Sequence, residues 1–289
     1  MYPRQSLAVF LAAAVSIPAL AAETASFAVD TEVKLLSDLR TRGTSDSMGK
    51  PALKLSLQAA HESGMIALVE INTVSKKVFL NSDGYDVLAA VGYRFGDPDA
   101  WHFGAGLATE LFPGAKFEAP FGVDLAVGAP VDFRTTKYNS SYAVAEIGYG
   151  DIEGRIVNVI SKTYRGANTG GVCGSLLAFR ADPTAAIECY ARGDHDSRGT
   201  WLLDLGYKYS IAADTTLRLH AGYQKVKHFK EANFSDYSIG IAHKRWGFEW
   251  SAEWVTAQTR TRELFIAVDG DKLRATDDNR LVVSVSRKF

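Results

Sequence analysis

In the segment Tyr85 to Phe95 the odd positions read Tyr, Val, Ala, Val, Tyr and Phe, and the even ones include Asp86, Gly92 and Arg94. Successive strand side chains point to opposite faces, so this is one apolar and one polar face of an extended chain. The same period of two recurs. Trp101, Phe103, Ala105 and Leu107 alternate with His102, Gly104 and Gly106; Trp201, Leu203, Leu205, Tyr207 and Tyr209 alternate with Asp204, Gly206 and Lys208. Leu217, Leu219, Ala221 and Tyr223 alternate with Arg218, His220 and Gln224, and Trp250, Ala252 and Trp254 with Glu249, Ser251 and Glu253. A helix would repeat its apolar residues every three or four positions, and these segments do not.

The links between segments separate two all-β solutions. Tight links fall at 61–64, 96–100, 150–154, 212–215 and 244–247. Long polar links fall between them, at 40–51, 74–84, roughly 112–139, 165–198, 229–235 and 259–278. A soluble sandwich has no reason to alternate short with long. A transmembrane antiparallel up-and-down β-barrel does, with short periplasmic turns and long extracellular loops. The reading predicts twelve strands, near 27–40, 52–61, 65–73, 85–95, 101–111, 140–149, 155–164, 199–210, 216–228, 236–243, 248–258 and 279–289. No helical region is expected. Segment 116–133 is left open between a lid, an inward loop and an extra hairpin.

Aromatic residues suit two interfacial girdles: Tyr93, Phe95, Trp101, Tyr149, Tyr207, Tyr209, Phe248 and Phe289 beside the tight turns, and Tyr164, Trp201, Tyr237 and Trp254 at the other ends. No later stretch approaches the ~18 apolar residues of a membrane-spanning helix. Residues 1–22 read as a secretory signal peptide: Arg4, an apolar run Leu7–Ile17, then Ala19-Leu20-Ala21 for cleavage. Residues 23–289 are then the barrel. The formal net charge of -1 gives no basic excess, so nucleic acid is not expected as a partner.

By parity, Asp30, Glu32, Lys34, Asp38, Arg40 and Arg42 share one face of the first strand, against Phe27, Val29, Val33, Leu35 and Leu39. In a barrel the charged face lines the lumen and the apolar face meets membrane lipid. The expected pore-lining set is Asp38, Arg40, Arg42, Asp86, Arg94, Glu146, Asp204, Lys208, Arg218, Glu249 and Glu253. Its signs nearly balance, which predicts weak ion selectivity.

Cys173 and Cys189 are the two cysteines. Export would favour a disulfide between them. Free thiols stay open, and a metal site has no C-x-x-C or flanking histidine pair behind it. The tract 269–278 has four aspartates but not the spacing of an EF-hand loop. Gly104–Thr109 lacks the βαβ context of a dinucleotide site. Neither a cofactor nor a catalytic residue is expected.

The stretch from Val33 to Gly64 carries Ser37, Asp38, Arg40, Arg42, Gly43 and Ser45, then Gly49, Lys50, Pro51 and Ala52. This pattern resembles the start of the TorF-like porin family of Gram-negative bacteria, and 146–153 and the final strand look similar. Segments 114–139 and 165–198 are longer than that family would have. The resemblance implies a barrel in the cell outer membrane and a passive channel for small hydrophilic solutes. The strand ending at Phe289 resembles the signal read by the barrel-insertion machinery, although Arg287 stands where a hydrophobic residue is usual. Two alternatives compete: an outer-membrane lipid-modifying enzyme, for which the six histidines offer no Ser-His signature, and a plugged structural or adhesive barrel. Twelve strands fall between eight, which side chains fill, and sixteen, which leave a wide channel.

Overall fold

The computed structural model describes residues 27–289. The proposed signal peptide and its cleavage site lie outside them. Twelve antiparallel strands close a barrel. They are β1 (Phe27–Leu36), β2 (Ala52–His61), β3 (Met65–Thr73), β4 (Tyr85–Gly96), β5 (Trp101–Leu111), β6 (Ser140–Tyr149), β7 (Ile152–Val159), β8 (Trp201–Ala212), β9 (Thr215–Lys225), β10 (Phe234–Arg245), β11 (Phe248–Thr259) and β12 (Arg280–Lys288). Each pairs with the next in sequence, and β1 closes on β12 with Leu35 opposite Val285. Closure leaves no unpaired edge, which a chain in hydrocarbon requires. Among the described residues no helix is long and apolar enough to cross a membrane.

The outer wall is a belt of exposed apolar side chains, among them Leu35, Val91, Leu107, Ile239 and Val283. Aromatic rings gather at the turn end, where Trp101 packs on Tyr149 and Phe95 stacks on Phe103. Arg287 sits there over the rings of Phe248 and Phe289, 5.5 and 5.1 Å from their centres. A cation on aromatic faces is tolerated where an aliphatic residue was expected.

Four expectations need correction. The first strand ends at Leu36, not residue 40, and the chain then turns into the barrel. The seventh begins at Ile152, because Gly150 takes a left-handed φ of +53° and shortens the turn. Tyr164 is not a girdle residue; it is buried in the mouth, edge-on to Tyr142. The long link between β7 and β8 is not free of helix: α1 (Thr169–Phe179) and α2 (Thr184–Ala191) lie within it. Asn168 caps α1 by accepting from the Gly171 amide at 2.8 Å. A disulfide joins Cys173 in α1 to Cys189 in α2. The open segment resolves as a hairpin, Lys116–Asp124 paired with Ala129–Lys137. A smaller hairpin pairs Ile266–Asp269 with Lys272–Ala275.

The link containing α1 and α2 folds over the long-loop end of the barrel. Val172, Cys173, Leu176, Ala186 and Cys189 form one core with Phe229 and with Tyr142, Val157, Val159 and Leu202 of the wall. The chain therefore has a hydrophobic core inside the barrel mouth, where a plain water-filled pore has none.

Candidate functional site

The first long loop is the centre of the lumen. Its residues 40–41 and 44–45 pair as a minute hairpin, with Arg42 and Gly43 at φ +50° and +79°. Two successive left-handed residues are the geometry of a tight hairpin turn, and the glycine supplies one of them without strain. Asp38 organises the base. Fully buried, it accepts from Arg40 Nε at 2.8 Å, from the Ser45 hydroxyl at 2.5 Å and from the Gly49 amide at 3.2 Å. Asp38 and Arg40 were expected to line a strand face. They hold the loop together, and Arg40 reaches the lumen cavity from that loop and not from a strand, because the chain stops being extended at Ser37 and strand parity stops with it.

The hairpin crosses the lumen. Arg42 donates to Asp204 Oδ1 of β8 at 2.7 Å and to the Leu203 carbonyl at 3.0 Å, and lies 3.5 Å from Asp236 of β10. His220 of β9 is 2.8 Å from Asp236 on the same patch. Ladder register explains why these groups meet. Arg94, Gly104, Glu146, Arg155, Asp204, Gly222 and Asp236 are successive lateral partners on β4 to β10. They form a belt around the inner wall. Arg94 and Arg155 both reach Glu146, at 3.0 and 3.1 Å. Gly222 leaves the space that Asp236 and Arg42 occupy, since a Cβ there would stand 2.3 Å from Asp236 Oδ2. With Arg42, the belt holds three cations and three carboxylates.

A second contact ties the loops to each other. Arg165, in the link after β7, donates to both oxygens of Asp46 at 3.2 and 2.7 Å and to Glu110 of β5 at 3.2 Å. Tyr142 donates to the other Glu110 oxygen at 2.8 Å. The guanidinium lies over Phe79 and Phe112. First loop, helical link and wall thus share one buried cation.

The other expected residues are placed as follows. Asp86 is buried near the long-loop end and accepts from Asn72 at 2.8 Å. Lys208 lies 3.4 Å from Glu153, with both side chains more than half exposed. Arg218 pairs with Glu249 at 2.8 Å. Glu253 sits beside Gly240, and no ion pair to it is found among the described residues. Arg155 and Asp236 were not in the expected set. Asp236 was within reach of parity, since Tyr237, Ile239 and Ile241 face out. Arg155 was also within reach, because the expected strand 155–164 begins with it and its parity puts it on the inner face. Glu110 was within reach of the same parity, since Trp101, Phe103, Ala105 and Leu107 face out, whereas Arg165 and Asp46, in loops, had no local signal.

Three cavities border the hairpin, and one of them, of about 330 Å³, lies on its loop side against Phe79, Phe117 and Phe265. One of about 880 Å³ opens toward the turn end, lined by Arg42, Arg94, Glu146, Arg155, Asp204 and His220. One of about 440 Å³ lies between the belt and the Arg165 contact.

An apolar exterior, a charged interior and closure without edges define a transmembrane β-barrel. The chain belongs to the family described as bacterial protein of unknown function (Gcw_chp), whose pattern matches residues 20–289. No curated protein matches it. Among solved structures it is similar to the KdgM porin in complex with disordered oligogalacturonate, at 8% identity and a TM-score of 0.46 over 90% of this chain and 98% of that one. The NanC porin gives 10% identity and 0.47 over 90% and 98%. An outer membrane channel from Pseudomonas putida F1 gives 9% and 0.41 over 94% and 99%. At these distances nothing that those proteins carry passes to this chain.

Proposed function

We propose that this protein is a passive channel of the Gram-negative outer membrane, for ions and small hydrophilic solutes, narrowed by an inward hairpin. The contact that carries the reading is Arg42 on Asp204 and Asp236. It places cations and carboxylates face to face across a water-accessible lumen. Such a belt sets ion preference by the charge it presents, and here three of each sign nearly cancel. A cation follows Glu146 and Asp204, an anion Arg94 and Arg155, and neither is strongly excluded. The sequence likeness to the TorF-like porins points the same way. The charged groups of the belt pair with one another, and the reading is non-enzymatic.

A second reading has its own observation. The core around Leu176, Cys173 and Phe229 fills part of the mouth, as a plugged structural barrel would. Single-channel recording of the refolded protein in a planar bilayer separates the two. The channel reading expects small, weakly selective conductance, increased in Arg42→Ser. Silence in both proteins leaves the plugged barrel.

A further inference from the structure

We propose that the lumen contains a binding site for a small monocarboxylic acid with an apolar body, in the 440 Å³ cavity between the charged belt and the Arg165 contact. The proposal rests on the channel reading for the route by which the acid arrives. An aqueous pore has no need of an apolar inner wall, yet this lumen has one over half its circumference. Leu68, Ala90, Ala108 and Tyr142 are lateral partners on β3 to β6. The next row reads Ile66, Gly92, Gly106, Val144, Val157 and Leu202 on β3 to β8. All ten line the cavity. These positions are on the inner face, so lipid does not account for them. Only part of the band, Tyr142, Val157 and Leu202 with Ala108 and Val144 packed on them, supports the helical link. Leu68, Leu88 and Ala90 remain as cavity wall on the other side.

The polar groups choose the ligand's other end. One ladder row below the band, Arg94 and Arg155 share the single carboxylate of Glu146, and both guanidiniums are half exposed. That sector carries one positive charge in excess. A monoanion balances it, whereas a phosphate monoester would overshoot. Guanidinium binds carboxylate through paired N–H donors, and the two arginines retain free donors for it. At the opposite end the cavity meets Arg165 and Glu110, which pair with each other at 3.2 Å and leave no excess positive charge, so the acid's carboxylate is directed to the Arg94–Arg155 end. The volume lies within the usual range of small-molecule sites, ~300–1,000 Å³, and the lining has their usual character: mostly apolar, with a few convergent polar groups.

Calorimetric titration of the full mature barrel in detergent tests this with sodium benzoate, sodium acetate and benzyl alcohol as probes. Benzoate is expected to bind at least tenfold tighter than either of the others. Ala90→Asp puts a charge in the apolar band, facing the lumen, and should bring benzoate down to the level of acetate. Leu68→Asn provides the same test with a milder change. Arg94→Gln with Arg155→Gln should bring benzoate down to the level of benzyl alcohol. Equal binding of benzoate and acetate by the unaltered protein overturns the proposal, as does an undiminished preference in the folded Ala90→Asp and Leu68→Asn variants. Bilayer recording of the same preparations keeps the two readings apart. Conductance without benzoate preference removes the site and leaves the channel. Benzoate binding without conductance removes the channel and leaves the site.

Discussion

Arg42 donates to Asp204 at 2.7 Å across 162 residues of sequence, and this one contact fastens the first long loop to the far wall of the barrel. Asp204 lies on β8, well around the barrel from β1. The fit is incomplete: Arg42 Nε and Asp236 Oδ2 are buried without a hydrogen-bond partner. An unsatisfied buried polar atom costs ~1–3 kcal/mol, more when charged.

Arg42→Ser should leave insertion intact and shift the pore toward cations. The belt goes from three cations and three carboxylates to two and three. Reversal potentials under a KCl gradient should move toward the potassium equilibrium value, and unit conductance should rise. An unchanged reversal potential in a conducting variant would show that this belt does not line the ion path. Stability should fall, by on the order of 3 kcal/mol, because Asp236 is left buried and less compensated. Adding Asp236→Asn should restore most of it.

Gly222→Ala tests the same contact from the wall. The new methyl would stand 2.3 Å from Asp236 Oδ2 and 2.9 Å from an Arg42 nitrogen. One of the two must move, at a cost of ~1–3 kcal/mol. The conductance of this variant should resemble that of Arg42→Ser. Wild-type conductance and stability together would contradict the packing described.

Leu35→Arg addresses the outer face. Leu35 is 56% exposed on the apolar belt, beside Val285. A charge on the lipid side costs ~2–4 kcal/mol near the midplane. Refolding yield into vesicles, read as the heat-modifiable band on a gel, should drop sharply, while Lys34→Ser, one residue away on the inner face, should not reduce it.

Cys173 and Cys189 close a loop with a sequence separation of 16. Loop entropy for that length gives ~3 kcal/mol at most. Replacing both by Ser should still give an inserted barrel, with a lower unfolding midpoint confined to the helical link. Rapid thiol labelling of the non-reduced, denatured wild type would show that the bond is absent in solution.

His195 and His228 stack at 4.4 Å across the two links at the long-loop end. Burial, and then the neighbouring His195 and Lys227, lower the His228 pKa, with Asp196 opposing. The folded protein therefore favours the neutral ring. The contact is complete above the ordinary value of ~6.5 and weakens as pH falls through the lowered folded value. An NMR titration should place His228 below its unfolded-state value, and His195→Gln should raise it. A titration at or above the unfolded value would refute this.

The alternating outer and inner faces, the even strand count and the rhythm of short and long links were legible from residues alone. In an extended chain, side-chain direction follows position, so Val91 out and Arg94 in needed no other part of the molecule. That rule also reached Glu146 and Asp204, and would have reached Asp236. It failed where the chain ceased to be extended. Asp38 and Arg40 kept their strand parity on paper, but Ser37 ends the ladder and the loop's path depends on what it meets. The same holds for Arg165, whose partners Asp46 and Glu110 come from two other segments. Local periodicity determined the barrel. Only the closed tertiary structure brought Arg42 to Asp204, because an ion pair across the lumen depends on how the strands close and carries no signature in either segment.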